Sequence, residues 1–323
     1  MLNLIENETL KVLRRRRFLI VVGILFVIMT LVSYSQYRQM RRSQGENWRA
    51  ELQERIARYE NRLRRGRINE SWARSMRAEV RRQQFYLDRD INPELPTAPL
   101  VTRSFANVAG FLLLPLLVGV LGSDIVSAEN AEGTDKLLLT RPVRRWKILL
   151  SKLITLWMFA TLTLLTGGVL SYLLSAAFLP ARGWDAPMFN GFTFSGETFR
   201  VENVRQLPLW KDTVIAFGLE WYALLAVAAI ALLLSVIFKS SAASIGTMLA
   251  SLIGGTILTR ISPDWTAGKY LFISALPLAD YYSGQVPPYE GMTMAFCLTL
   301  LGAWAIGAIV VAFVIYTRRD VFG

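Results

Sequence analysis

Six long apolar blocks divide the chain and limit what it can fold into. Each is about 20 residues long, which at 1.5 Å per residue matches the ~30 Å hydrocarbon core of a membrane. Soluble core helices rarely run so far without charge, so the pattern predicts an all-α integral membrane protein with six transmembrane helices. The predicted spans are residues 18–36, 105–123, 153–178, 214–238, 242–259 and 292–316.

The distribution of Lys and Arg predicts the orientation of these spans. Six spans place both termini on one side, and cytosolic segments carry an excess of Lys and Arg. With the N-terminus inside, the inner segments 1–17, 124–152, Lys239 and 317–323 carry 14 such residues, against six in the short outer loops. Residues 37–104 hold 16 Arg, but loops beyond about 60 residues are translocated largely regardless of charge. We therefore predict an N-in, C-in topology with residues 37–104 outside.

The segments between the spans differ in their predicted structure. Residues 1–17 form a cytosolic amphipathic helix that ends in four arginines near the lipid head groups. Residues 179–213 form an extracellular cap with short strands. Residues 260–291 are apolar but broken by prolines, which favours short re-entrant helices between spans five and six.

Residues 37–104 contain two apolar stripes with helical spacing, which predict an external helical hairpin. The stripes are Trp48, Leu52, Ile56, Tyr59 and Leu63, then Trp72, Met76, Val80 and Leu87. The hairpin is either a self-contained packing unit or a basic platform for an anionic lipid or a cell-wall polymer. Its external position argues against nucleic acid as a partner.

The composition excludes several kinds of site. The chain has no histidine and one cysteine, Cys297, which removes His-based hydrolases, His-ligated zinc or haem, and an intrachain disulfide. The GxxxxGK[ST] phosphate-binding loop is also missing, so the chain is not expected to hydrolyse ATP. We predict no catalytic, cofactor-binding or metal site.

Two features of the apolar blocks are candidate functional positions. Gly246, Ala250 and Gly254 are four residues apart, a spacing typical of close helix contact, either within one chain or across a dimer. Asp124 and Glu220 are the acids nearest the hydrocarbon, and each lies close to the end of a block. They either anchor the chain at the membrane surface or take part in transport or coupling. No acid is predicted in the middle of a span.

A polar stretch at 124–152 connects spans two and three and stays close to the membrane because both neighbours are apolar. Glu129 and Glu132 offer carboxylates to basic groups of a partner, and Leu137 with Leu138 offers an apolar wedge for a groove. Gly133-Thr134 can break or re-cap a helix. The stretch is therefore either a contact for a cytosolic protein or a plain connection between two spans.

This stretch resembles the E-x-x-x-G-T-x-x-x-L-L-x-x-P-V-x-R run of the membrane subunits of ABC type-2 transporters. Two further segments are similar to that family: SVIFKSSAAS at 235–244 and YTRRDVFG at 316–323. Glu8, Lys11 and the following arginines also fit. The likeness covers all six spans but not obviously the large segment 37–104.

The resemblance implies an ATP-driven exporter in a prokaryotic plasma membrane. Two such subunits, identical or homologous, would pair around the cargo path, and two separate cytosolic ATPase subunits would bind below them. Coupling would run through a helix at about 129–140, and the cargo would be amphipathic or lipid-like. The residues implied in coupling are Glu129, Glu132, Gly133, Thr134, Leu137, Leu138, Pro142 and Arg145. The alternative is a membrane receptor or regulatory subunit that senses an external ligand through residues 37–104.

Overall fold

A computed structural model of the chain describes residues 1–43, 48–65, 70–90, 97–131, 144–190, 193–195, 198–200, 205–261 and 265–318. These residues are mostly helical. The helices are α1 (Leu2–Arg14), α2 (Arg17–Ser43), α3 (Trp48–Arg64), α4 (Glu70–Asp88), α5 (Ala98–Gly110), α6 (Leu113–Ser123), α7 (Ser127–Ala131), α8 (Arg145–Ala176), α9 (Leu209–Ile237), α10 (Ser241–Ile261), α11 (Phe272–Ala275), α12 (Leu278–Tyr282) and α13 (Met294–Arg318).

Five of these helices, α2, α8, α9, α10 and α13, are long and apolar enough to cross a membrane. A sixth crossing results if α5 and α6 are counted as one broken span, bent by 54°. The prediction of a mostly helical chain with several membrane-spanning helices is thus confirmed, and the chain has the character of a multi-pass membrane protein.

The predicted second span, 105–123, is not one straight helix. α5 ends at Gly110 and α6 begins at Leu113. Pro115 is the third residue of α6, and proline, which lacks an N–H, fits in the first turn of a helix but not in its interior. The uninterrupted apolar run therefore contains a break that its hydropathy does not reveal.

Helix α9 is the central element of the bundle and packs against α5, α6, α8, α10 and α13. Small side chains let neighbouring helices approach closely, and the middle of α9 is rich in alanine. Its fully buried or nearly fully buried alanines are Ala223, Ala226, Ala228, Ala229 and Ala231.

Helices α3 and α4 pack against each other as the predicted helical hairpin. Leu52, Phe85 and Tyr86 of the hairpin are buried against Phe189, with ring centroids of Phe85 and Phe189 5.3 Å apart. Trp72 is 56% exposed, so its assignment to the packed stripe is wrong. The buried side of α4 instead includes aromatic residues near its C-terminal end.

Four short strands follow α8 and depart from an all-α fold. β1 (Pro187–Asn190) pairs antiparallel with β4 (Arg205–Pro208), and β2 (Thr193–Ser195) pairs antiparallel with β3 (Thr198–Arg200). Phe189, on β1, is the strand residue that contacts the hairpin. The predicted cap at 179–213 therefore supports α3 and α4.

The proline-broken segment after α10 forms a 3₁₀ turn, Thr266–Tyr270, followed by the short helices α11 and α12. Leu276 and Leu278 are completely or almost completely buried in the main core. Gly255 of α10 permits this packing, because a Cβ there would lie 2.0 Å from Cδ1 of Ile273.

Candidate functional site

A buried cluster of charged side chains lies where α1 meets the helix bundle, and we name it the α1 junction. Its members are Glu8 and Lys11 of α1, Arg15 and Arg17 at the turn into α2, Asp124 after α6, Glu129 of α7 and Lys152 of α8. α1 packs on α8, and the three-residue spacing of Glu8 and Lys11 places both on one face of α1. The cluster thus joins four helices and the turn after α6.

Four members of the α1 junction form a closed ring of alternating charge. The Lys152 ammonium lies 2.7 Å from Glu8 Oε2 and 2.8 Å from Glu129 Oε1. Lys11 Nζ lies 2.6 Å from Glu8 Oε1 and 2.7 Å from Glu129 Oε1. The third donor position of Lys152 is used on the carbonyl oxygen of Ile125, at 3.1 Å. Two lysines and two glutamates leave the ring with no net charge.

Burial makes this ring energetically important. The Lys152 side chain is 0% exposed, and those of Glu8 and Glu129 are 5% and 8% exposed. Burial by itself would raise the pKa of the Glu8 carboxyl, but the Lys152 charge and the hydrogen bonds from Lys11 and Lys152 outweigh it and lower the pKa below its ordinary value. Glu8 therefore remains ionised and holds α1 against α8.

Asp124 forms the second half of the α1 junction. It is 2% exposed, is ion-paired with Arg17, and lies 3.7 Å from NH1 of Arg15. The sequence predicted that these arginines lie near lipid head groups, whereas the structure pairs two of them with Asp124. The end of α6 is thereby fastened to the start of α2.

The C-terminal end of α9 is fixed to the same region by a serine. Ser235 Oγ accepts hydrogen bonds from the backbone N–H groups of Val126 and Ser127, each at 2.9 Å. These donors belong to the turn after α6 and to the first turn of α7, where backbone N–H groups have no helical partner. α7 is thus held by α9 on one side and by the charged ring on the other.

The predicted coupling residues have different positions relative to this junction. Glu129 was expected to offer its carboxylate to another protein, but in the structure Lys11 and Lys152 of the same chain occupy it. Arg145 begins α8 and its NH1 is 3.5 Å from the carbonyl oxygen of Thr317 at the end of α13. The remaining ones lie outside the described residues: Glu132, Gly133, Thr134, Leu137, Leu138 and Pro142.

A second polar cluster, the Arg103 junction, lies at the opposite end of α9. Arg103 of α5 and Asp212 of α9 are ion-paired, with the Arg103 side chain 4% exposed and that of Asp212 0%. The cluster is completed by Asn107, Asn190 and Ser283, and Arg103 NH2 donates to Ser283 Oγ at 2.7 Å. It joins α5, α9, β1 and the end of α12.

The Arg103 junction was not predicted from the sequence. Its ion pair joins a basic and an acidic residue that lie 109 positions apart, each next to a different apolar block. Asp212 and Ser235 are 23 residues apart on α9, which corresponds to about 35 Å. The two polar junctions therefore bracket an apolar layer as thick as a membrane.

Glu220 lies inside this apolar layer, three residues from the midpoint of α9. The helix begins at Leu209, five residues before the predicted span, so the expectation that no acid sits in the middle of a span is wrong. The Glu220 side chain is fully buried, which the interfacial interpretation does not explain. Neither of its carboxyl oxygens has a hydrogen-bond partner among the described residues.

Glu220 packs against the point where the broken span is interrupted. A Cβ at Gly110, the last residue of α5, would lie 2.1 Å from Glu220 Oε2, so only glycine allows this contact. Buried acids in membrane segments are costly and commonly functional. Asp124, by contrast, has a salt-bridge partner at the α1 junction.

The predicted small-residue stripe of α10 lies on an exposed side of that helix. Gly246 and Ala250 are exposed, and a Cβ at Gly246 or Gly254 would meet nothing within 4 Å in the described part of the chain. Gly246 and Gly254 therefore make no tight helix contact with the part of the chain that the structure describes. The stripe faces away from the bundle.

Comparison with known proteins places the chain in a family. A family model described as "Protein of unknown function (DUF2705)" matches residues 86–322. The chain is 28% identical over 323 residues to "Uncharacterized protein YhcI" of Bacillus subtilis (strain 168), covering 99% of both chains. It is 30% identical over 214 residues to "Uncharacterized membrane protein YdbK" of the same organism, covering 65% of this chain and 78% of that one. Because the family match extends over more than half of its length, the chain belongs to the DUF2705 family.

Proposed function

We propose that the chain is the permease subunit of an ATP-driven exporter of the ABC type-2 class. It would work as a dimer with an identical or homologous subunit, together with two cytosolic ATPase subunits. The α1 junction carries the proposal. It fastens α7, which directly precedes residues 132–143 of the motif, to α1 and α8 by ion pairs and to α9 by a hydrogen bond. A displacement applied to that stretch would therefore move the bundle rather than a loose loop.

The proposed orientation places the α1 junction in the cytosol and the α3–α4 hairpin outside. The Lys and Arg bias of the short segments supports it. A test is Gly66→Cys in a Cys297→Ala background, treated with a membrane-impermeant thiol reagent on intact cells. Labelling from outside is expected, and labelling only after the cells are opened would refute the orientation.

The exposed stripe of α10 supports the dimer in this proposal. Gly246 and Gly254 have open space beside them among the described residues and Ala250 is exposed, and small residues on an outer face suit a second subunit. Membrane lipids would cover the remaining apolar surface of the bundle. The proposed location is the plasma membrane of a prokaryotic cell.

The decisive experiment measures ATP hydrolysis that copurifies with the full-length chain. The tagged chain is purified from its native membrane, and a copurifying protein with a GxxxxGK[ST] loop is sought. Glu132→Ala is expected to lower the copurified ATPase activity about tenfold or more, since a charge-assisted contact would be lost. Glu60→Ala, which removes an exposed carboxylate from α3, is the matched control and should have no effect.

One observation favours a second candidate, a receptor or regulatory subunit. A large cavity lies beneath the α3–α4 hairpin and would suit an external ligand. A chain that purifies as a stable membrane protein with no ATPase activity, and that is unaffected by Glu132→Ala, would support the receptor and contradict the exporter.

A further inference from the structure

A cavity of about 1350 Å³ lies between the α3–α4 hairpin and the membrane-spanning helices α2 and α5. The strand β1, Ser171 of α8 and Ser283 also line it. Pockets for drug-sized ligands are usually 300–1,000 Å³. The cavity therefore has room for a ligand larger than a typical metabolite.

The hairpin side of the cavity is strongly basic. Among the described residues, the hairpin contributes five arginines and two glutamates to the lining, Arg55, Arg58, Arg62, Arg65 and Arg82 with Glu51 and Glu79, and α5 contributes Arg103. Arg103 is ion-paired with Asp212, and Arg58 lies 3.5 Å from Glu54. Neither of these two acids is among the lining residues of the cavity. Arg82 is paired with Glu79, and the arginines of the described lining outnumber its glutamates. That excess suits an anionic head group such as a phosphate.

The other side of the cavity extends along the membrane helices and carries both apolar and polar side chains. Its apolar residues are Met29, Val32, Val101, Phe105 and Val108, and its polar residues include Gln36, Gln39, Ser104 and Asn107. The lining residues of α2 run from Met29 to Met40, eleven steps along the helix or about 16 Å. This length is about half of a ~30 Å hydrocarbon core. A hydrocarbon tail fits against the apolar residues of this side.

We propose that this cavity binds an amphiphile with a phosphate head group and a hydrocarbon tail, drawn from the leaflet on the hairpin side. The arginines of α3 and α4 hold the phosphate, and α2 with α5 hold the tail. As a binding site the cavity requires no ATPase. Its use as the cargo site of an exporter rests on the proposed function.

Two sources share this chemistry, an ordinary anionic phospholipid and a polyprenyl phosphate that carries a glycan. The experiment uses the purified full-length chain in a non-ionic detergent and counts bound ligand by native mass spectrometry. The probes are phosphatidylglycerol, a polyprenyl phosphate, phosphatidylcholine and glycerol phosphate. The last two test the need for net negative charge and for a tail.

Arg62→Gln/Arg65→Gln is the test variant, and Arg64→Gln/Arg81→Gln is its control with the same change in net charge. Arg64 and Arg81 are exposed and lie outside the cavity lining. The test variant should weaken phosphate-lipid binding about tenfold or more, since charge-assisted contacts are lost. The control should change it less than about twofold, because exposed charges act weakly at a distance.

Each outcome decides the proposal. Arginine-dependent binding of both anionic lipids supports a general phospholipid site, and binding of the polyprenyl phosphate alone supports a glycan-carrier site. Equal binding of phosphatidylcholine, equal binding of glycerol phosphate, or equal weakening by the control variant would overturn it. Val32→Trp, which fills the tail end, should weaken both lipids without altering the response to the arginine variants. Because no ATPase is present, failure here is distinct from failure of the proposed exporter function.

Discussion

Lys152 is the residue on which the α1 junction most depends, and its replacement by Met tests the junction directly. Methionine retains the length of the side chain but removes the ammonium. Glu8 and Glu129, both nearly fully buried, would then each lose one of the two lysines of the ring and keep Lys11. Removing one partner from a buried ion pair costs about 3–5 kcal/mol, because a buried charge loses its compensation. The carbonyl of Ile125 would also lose a donor.

Lys11→Met is the matched control, since it removes a lysine from the same two carboxylates. The Lys11 side chain is 35% exposed, so water compensates part of the loss and the cost should be about 1 kcal/mol. The free energy of unfolding of the purified chain in mixed micelles gives both values. Lys152→Met/Glu8→Gln should recover part of the loss, because both charges of one pair are removed together.

Equal destabilisation by Lys152→Met and Lys11→Met would contradict this role of Lys152. So would a double variant whose loss of unfolding free energy equals the sum of the losses in its two single variants. Either result would show that Lys152 acts as an ordinary surface cation and not as the buried centre of the ring. The rigid attachment of α7 to α8, on which the proposed coupling depends, would then be lost.

Three further predictions concern other parts of the bundle. Because the pKa of Glu8 is lowered, the ionised Glu8 should stabilise the fold fully above the ordinary pKa of about 4.5, and this stabilisation should be lost as pH falls through the lowered pKa. Glu8→Gln should flatten the pH dependence of the free energy of unfolding below about pH 4.5. Gly110→Ala should lower the free energy of unfolding by about 1–3 kcal/mol, because the added methyl group forces Glu220 aside, and Glu220→Ala should restore stability. Gly218→Ala is the control and should not destabilise the chain, because a Cβ at Gly218 meets open space among the described residues. Gly246→Leu should leave unfolding of the single chain unchanged but reduce dimer formation in cross-linking, and unchanged cross-linking would exclude this face as the dimer contact.

Hydropathy predicts the membrane-spanning helices well because membrane insertion depends on local composition. It does not predict the break between α5 and α6, since Phe111 and Leu112 are as apolar as their neighbours. It also misplaces the start of α9. Lys211 and Asp212 precede the apolar block that begins at 214, yet the helix includes them, and Asp212 is paired there with Arg103. That pairing joins residues 109 positions apart, and a single sequence contains no local sign of it.

The same long-range contacts explain why the candidate site was only partly foreseen. Glu8 and Lys11 were noticed through a family resemblance and Lys152 ends the polar stretch 124–152, but the ring that they form with Glu129 follows from the packing of α1 against α8. Glu129 looked available to a partner because acids in loops are usually solvated. Two lysines of the same chain remove that availability. The sequence shows which charged residues lie in this region, and the tertiary structure shows which of them form ion pairs.

The two junctions and the broken span together determine how a displacement of α7 would pass through the bundle. α6 ends at Asp124 in the α1 junction, whereas α5 is fixed to α9 by Arg103 at the opposite end. Only the two residues Phe111 and Leu112 separate these helices, and Glu220 lies against this point. A force on α7 would therefore move α6 before α5, with the bend at 111–112 taking up the difference. Packing of α6 on α10 would carry the movement to the face that bears Gly246.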